Sequence, residues 1–176
     1  MVRVKGLLRD IDPDSKSPLC FISYAWGNVE NEKWVTNFAK DLQNSGIDIL
    51  LDRWHNGPGS SISRYIEKID VCDYVLIIGT PELGEKYRNI DKDAVVSAEL
   101  SLINTKVRQP SKFGRNVIPI LREGTSTDVL TPLLQDLVYM DFRLQSSYFS
   151  NLIELVWRLY ELPLDHPWYT ELKNIT

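Results

Sequence analysis

Apolar positions along the chain gather into short solid runs, and between the runs they recur every three or four residues. Three runs lead the pattern, each ending in small or polar residues: 19–26 (LCFISYAW), 47–54 (IDILLDRW) and 74–82 (YVLIIGTPE). Runs this short and this apolar predict strands buried on both faces, and the wider spacing between them predicts amphipathic helices. Strand alternating with helix implies the α/β class, a parallel sheet covered on both faces with its ligand crevice outside the carboxyl ends of the strands. Chemistry is therefore expected just after each run.

Between the first two runs, Trp34, Val35, Phe38, Ala39 and Leu42 mark one face of a helix over 31–45, with Gly46 placed to end it. After Trp54 the segment 55–61 (HNGPGSS) specifies a tight loop, and Ser60 or Ser61 can cap a helix carrying Ile62, Tyr65, Ile66 and Ile69. Residues 80–93 form a polar connection long enough to hold short structure of its own and to act as a lid, and a third helix is expected over 93–106. Residues 116–121 predict a fourth strand that Pro119 keeps short or irregular. A brief helix over 130–137, a fifth strand over 138–142 and a last helix over 148–160 complete the pattern, the last with Leu152, Ile153, Leu155, Val156 and Leu159 facing inward. The organisation that follows is a lead-in over 1–18, one domain over 19–162, and a tail over 163–176 suited to link a further module.

Composition narrows the setting. With 176 residues, 43% hydrophobic and 25% charged, the chain has material for one sizeable core. Twenty basic against 24 acidic residues give a formal charge of −4, which argues against a broad nucleic-acid or anionic-membrane surface and favours a small-molecule or protein partner. Cys20 and Cys72 have neither metal-ligand nor disulfide-scaffold spacing and read as reduced core residues. Charges interrupt the amino-terminal stretch where a signal peptide needs an apolar one, and no segment approaches the roughly twenty apolar residues of a membrane span. The expected location is cytoplasmic.

Glu99 does not fit its surroundings. On a helix over 93–106 it shares a face with Val95, Val96, Leu102 and Ile103. Burial there would raise its pKa and strengthen its pull on a cationic centre; the alternative is an acid at the stripe's margin, solvated or paired. Two roles are open to Asp52, binding ribose hydroxyls or capping its own loop. Trp26 and Trp54 follow strands one and two, where a ring either stacks on a base or packs into the core. Ser23 and Tyr24 end strand one and offer hydroxyls, and His55 lies on the loop after strand two. The chain holds no phosphate-binding glycine loop, no nucleophile elbow and no paired Cys/His ligand set, so neither metal nor resident cofactor is implied.

Taken together, 21–26 (FISYAW), 46–54 (GIDILLDRW) with its Gly57-Pro-Gly59 loop, 73–79 (DYVLIIG) and 116–120 (NVIPI) resemble a Toll/interleukin-1 receptor (TIR) domain of the branch common in bacterial proteins, over about 19–162. The resemblance implies a flavodoxin-like three-layer sandwich with a five-stranded parallel sheet. It also implies cleavage of the N-glycosidic bond of NAD+, a substrate and not a cofactor, to nicotinamide and ADP-ribose or a cyclic form. Residues 95–100 (VVSAEL) match the segment that carries the family's required glutamate, with Glu99 in its place. Residues 52–60, including Asp52, Trp54, Gly59 and Ser60, match the mobile loop that borders the nucleotide site and mediates self-association, and Ser23, Tyr24 and Trp26 fall where the first strand-to-helix loop lines the same pocket. Enzymatic relatives often carry Trp or Cys shortly before the glutamate; here the segment is Ala94-Val-Val-Ser-Ala98, which leaves stacking to Trp54 or Trp26. The partners implied are NAD+, other TIR domains and a fused or separate sensor module, in a bacterial defence or cell-suicide pathway, with no direct nucleic-acid or membrane binding. A non-enzymatic TIR adaptor and a related nucleotide N-glycosidase are the alternatives.

Overall fold

In the computed structural model the apolar runs become strands. Residues 16–51, 69, 71–89, 100, 101, 103–105, 107 and 116–174 are described. Strands β1 (Leu19–Ser23), β2 (Asp48–Leu51), β3 (Tyr74–Gly79), β4 (Val117–Leu121) and β5 (Met140–Asp141) form one parallel sheet in the order β2-β1-β3-β4-β5. The α-helices bounded within the described residues are α1 (Val29–Asn44), α2 (Pro81–Arg88), the single turns α3 (Ser126–Val129) and α4 (Pro132–Gln135), then α5 (Tyr148–Leu159) and α6 (Pro167–Asn174). This is the expected α/β fold of flavodoxin-like order.

Successive side chains of a strand point to opposite faces, and here each face has its own core. Cys20, Ile22, Tyr74, Leu76, Ile78, Ile118 and Ile120 pack with Val35, Phe38 and Leu42 of α1 and with Leu152, Leu155 and Leu159 of α5. Phe21, Val75, Ile77, Val117 and Leu121 pack on the other side with Leu83 and Tyr87 of α2 and with Leu100, Ile103 and Val107. Both cysteines are buried thiols, and burial pushes Cys20 well above the ordinary thiol pKa, away from nucleophilic use.

Several expectations change in detail. Pro119 sits inside a fully buried five-residue strand. The lost N–H is tolerated where β5 joins β4 only beyond it, at Ile120 and Leu121. The connection expected as a lid begins with α2, which Thr80 caps and Pro81 starts, and which buries Leu83, Gly84 and Tyr87. The brief helix expected over 130–137 is the single turn α4, and a further turn, α3, precedes it. Ile153 is only half-buried, whereas Trp157, outside the stripe read from spacing, is buried. Its indole N–H donates to the Pro163 carbonyl at 2.9 Å and its ring lies 5.5 Å from that of Tyr169. The tail after 162 thus carries α6, whose Leu172 joins the α1/α5 core. The loop over 52–60, most of the helix expected after it, and Glu99 lie outside the described residues.

Gly84 shows how closely α2 seats on α3, because a Cβ there would collide with the Asp128 carbonyl oxygen. Arg88 fastens the same contact, donating to that oxygen at 2.8 Å. Gly84→Ala is expected to destabilise the fold by about 1–3 kcal/mol, because it overpacks backbone against backbone. Urea unfolding followed by circular dichroism would show a lowered midpoint; an unchanged midpoint would contradict the close seating.

Candidate functional site

Three loops leave the carboxyl ends of β1, β3 and β4, and hydrogen bonds stitch them together. After β1, Ser23, Tyr24 and Ala25 remain buried, and the chain surfaces at Trp26, which is 53% exposed with its ring 6.5 Å from that of Tyr24. Gly27 follows with φ of 103°, a left-handed conformation that costs an L side chain strain although space is free around it. Its N–H donates to Glu32 Oε1 at 3.0 Å. Asn28 caps α1, its Oδ1 accepting the Asn31 N–H at 3.1 Å, and Glu30 and Glu32 place negative charge on the helix's positive end.

The Asn28 amide has a second task. Its Nδ2 donates to Glu82 Oε1 at 2.9 Å, tying the β1 loop to the first turn of α2 beyond β3. The last carbonyl of β3, on Gly79, accepts the backbone N–H groups of Arg122 at 3.0 Å and Glu123 at 3.2 Å, tying β3 to the loop after β4. Between these loops lies a cleft of about 290 Å³ lined by Asn28, Glu30, Asn31, Arg122 and Glu123. The Arg122 guanidinium stands 5.2 Å over the Trp34 ring, a cation–π contact, and Trp34 in turn stacks on Phe38 at 4.9 Å. The Asn28 amide, then a backbone N–H, hold the Glu82 carboxyl below the usual glutamate range. Glu82 is thereby kept as a charged acceptor and not a proton donor.

Of the residues singled out in the sequence, the structure brings Ser23, Tyr24 and Trp26 to the end of β1. Ser23 and Tyr24 are 1% and 4% exposed, so only the Trp26 ring faces solvent there. Asp52, Trp54, Gly59, Ser60 and Glu99 lie outside the described residues. Sequence reading passed over Asn28, Asn31, Glu82 and Arg122, all of which sit one to eight places beyond a strand end. An Asn ahead of an apolar-periodic helix and a charged residue at once after strand four were the available signals.

The stability linked to Glu82 has a definite sign. A carboxyl whose pKa is lowered on folding contributes above its unfolded pKa and loses that contribution as pH falls through the folded one. Glu82→Gln should therefore lower the unfolding midpoint most near neutral pH, with the gap to wild type closing in acid. A gap that widens on acidification would overturn the assignment.

The family model described as "TIR domain" matches residues 20–156. Among solved structures, the chain is similar to a prokaryotic SEFIR domain, at 24% identity and a TM-score of 0.66 over 86% of this chain and 97% of that one. It is also similar to the TIR domain of the Toll-related receptor TRR-2 from Hydra magnipapillata, at 18% identity and a TM-score of 0.54 over 78% and 96% of the two chains. No curated protein matches the sequence.

Proposed function

The chain belongs to the TIR domain family, and from that premise we propose that it is an NAD+ nucleosidase that works when its domains assemble, in a bacterial defence or cell-suicide response. One observation carries the reading. Ile103 and Val107 are fully buried on a helical segment, and they belong to the apolar stripe on which the sequence pattern sets Glu99, four and eight places earlier. Trp26, half exposed at the end of β1, offers a ring for stacking on a planar base beside the crevice.

The chemistry asks little of the protein. The nicotinamide of NAD+ is already a cationic leaving group: its bond to the ribose breaks, the bonding pair leaves with nicotinamide, and positive charge develops at the ribose anomeric carbon. A carboxylate at Glu99 stabilises that charge more in the transition state than in the ground state, the more so where water is excluded. Attack by water, which sheds a proton, gives ADP-ribose; attack by a hydroxyl of the same molecule gives a cyclic form. Glu99 can also accept a hydrogen bond from a ribose hydroxyl and so orient the sugar.

A second reading, TIR-to-TIR assembly without chemistry, draws support from apolar side chains left in solvent around β5. Val138 is 94% exposed, and Leu144 and Phe149 are also exposed.

Chromatography of NAD+ and nicotinamide, with the protein concentrated and its assembly verified by light scattering, separates the two. Wild type is expected to release nicotinamide and Glu99→Gln to lose about 10²-fold or more of that rate, the range for removing one charge-stabilising group. Equal rates would overturn the role of Glu99, and silence of both assembled proteins would favour the assembly reading.

A further inference from the structure

The polar cleft on the α1 side of the crevice holds two buried atoms that find no hydrogen-bond partner among the described residues. Asn31 is 5% exposed and lines the cleft, and its Oδ1 accepts nothing from the described residues, while its Nδ2 reaches the Ala25 carbonyl at 3.5 Å. Arg122 lines it from the loop after β4, and its Nε–H donates to nothing among the described residues. A buried acceptor and a buried donor left unpaired both cost stability until a partner arrives.

Their pairing selects the partner's chemistry. An ammonium group satisfies Asn31 but only repels Arg122, and a carboxylate or phosphate satisfies Arg122 but meets Glu30 and Glu123. Among the described residues no three His, Cys, Asp or Glu side chains are grouped to hold a metal ion. A hydroxyl does both jobs, since it accepts from a guanidinium and donates to an amide oxygen. Two further carboxylates at the exposed rim, Glu30 and Glu123, accept from neighbouring hydroxyls, as acidic side chains do with the vicinal pair of a ribose.

We propose that this cleft binds a polyhydroxylated ring, a pentose or hexose, with Asn31 and Arg122 holding one hydroxyl and Glu30 and Glu123 the adjacent ones. The site is built in advance. Asn28 is fixed by Glu82, Arg122 by its backbone bond to Gly79 and its seat over Trp34, and Asn31 by the first turn of α1. None of its residues is among those assigned to NAD+ cleavage, so the proposal stands apart from that reaction.

The sugar can arrive free or as the ribose of a nucleotide, and titration of the isotope-labelled full chain distinguishes the sources. D-ribose, D-glucose, ADP-ribose and, as a cationic control, spermidine would each be added while the Asn31 amide, Arg122 Nε–H and Trp34 indole resonances are followed. The expected result is saturable movement of all three signals with at least one sugar, tighter for ADP-ribose if the ring comes on a nucleotide and equal for free ribose if it does not. Arg122→Gln should weaken that binding by about tenfold, the effect of one lost charge-assisted hydrogen bond, and Glu123→Gln, at an exposed rim position that leaves folding intact, by a smaller factor. Sugars that move none of the three signals, or spermidine moving them in place of the sugars, would overturn the proposal. So would unchanged affinity in both variants.

Discussion

Everything at the functional end of this molecule depends on β1 and β3 lying side by side and parallel, in a register that runs from Cys20 opposite Tyr74 to Ser23 opposite Ile77. A parallel pair cannot be closed by a hairpin; the chain must cross back over a face of the sheet each time. Because β2 lies outside β1 and β4 outside β3, the two crossovers leave on opposite sides. Helix α1 goes to the face of Ile22 and Leu76, and α2 to the face of Phe21 and Val75. Two neighbouring loops that diverge in this way open a crevice between them, which is why ligands of such sheets bind there. The Asn28–Glu82 hydrogen bond spans that divergence at 2.9 Å and limits how far it opens.

The same constraint explains what was legible in advance. Strands buried on both faces must be apolar throughout, so β1, β3 and β4 stood out as runs, and their parallel direction followed from the helices between the strands. The heptad-like stripe of α1 was legible because one face of that helix meets the sheet and the other meets water. Trp157 was not, because α6 covers it, and spacing within a single helix carries no trace of a second helix docking on its flank. Pro119 looked disruptive because its lost N–H matters only if a neighbour needs it there, and that depends on where β5 begins.

The site was legible by rule and opaque by residue. That chemistry lies after the strand ends is a statement about topology, and Asn28, Glu82 and Arg122 obey it. Which side chains surface depends on how far each strand's burial extends beyond its last hydrogen bond. At β1 it extends two residues, so Tyr24 is taken into the α1-side core and its hydroxyl is no free ligand group, while Trp26 is delivered to the surface. Parity alone would have placed Tyr24 and Trp26 alike, since they are two apart on an extended chain.

Rigidity at this edge has a chemical meaning. Hydrogen-bonding groups recognise a ligand well when they are already held in place, because little ordering remains to be done on binding. Here each loop is held by its neighbour: the β1 loop by Glu82, the β4 loop by the Gly79 carbonyl, and the turn at Gly27 by Glu32. The aromatic cluster of Trp34, Phe38, Phe142 and Tyr148 lies beneath, its rings within 6.2 Å of Trp34 or of one another, and the Tyr148 hydroxyl is bonded to Asp41 at 2.8 Å. The stacked and edge-on rings give Arg122, seated over Trp34, a firm base. What enters the cleft therefore meets hydrogen-bonding groups already set in place, with little ordering left to be done.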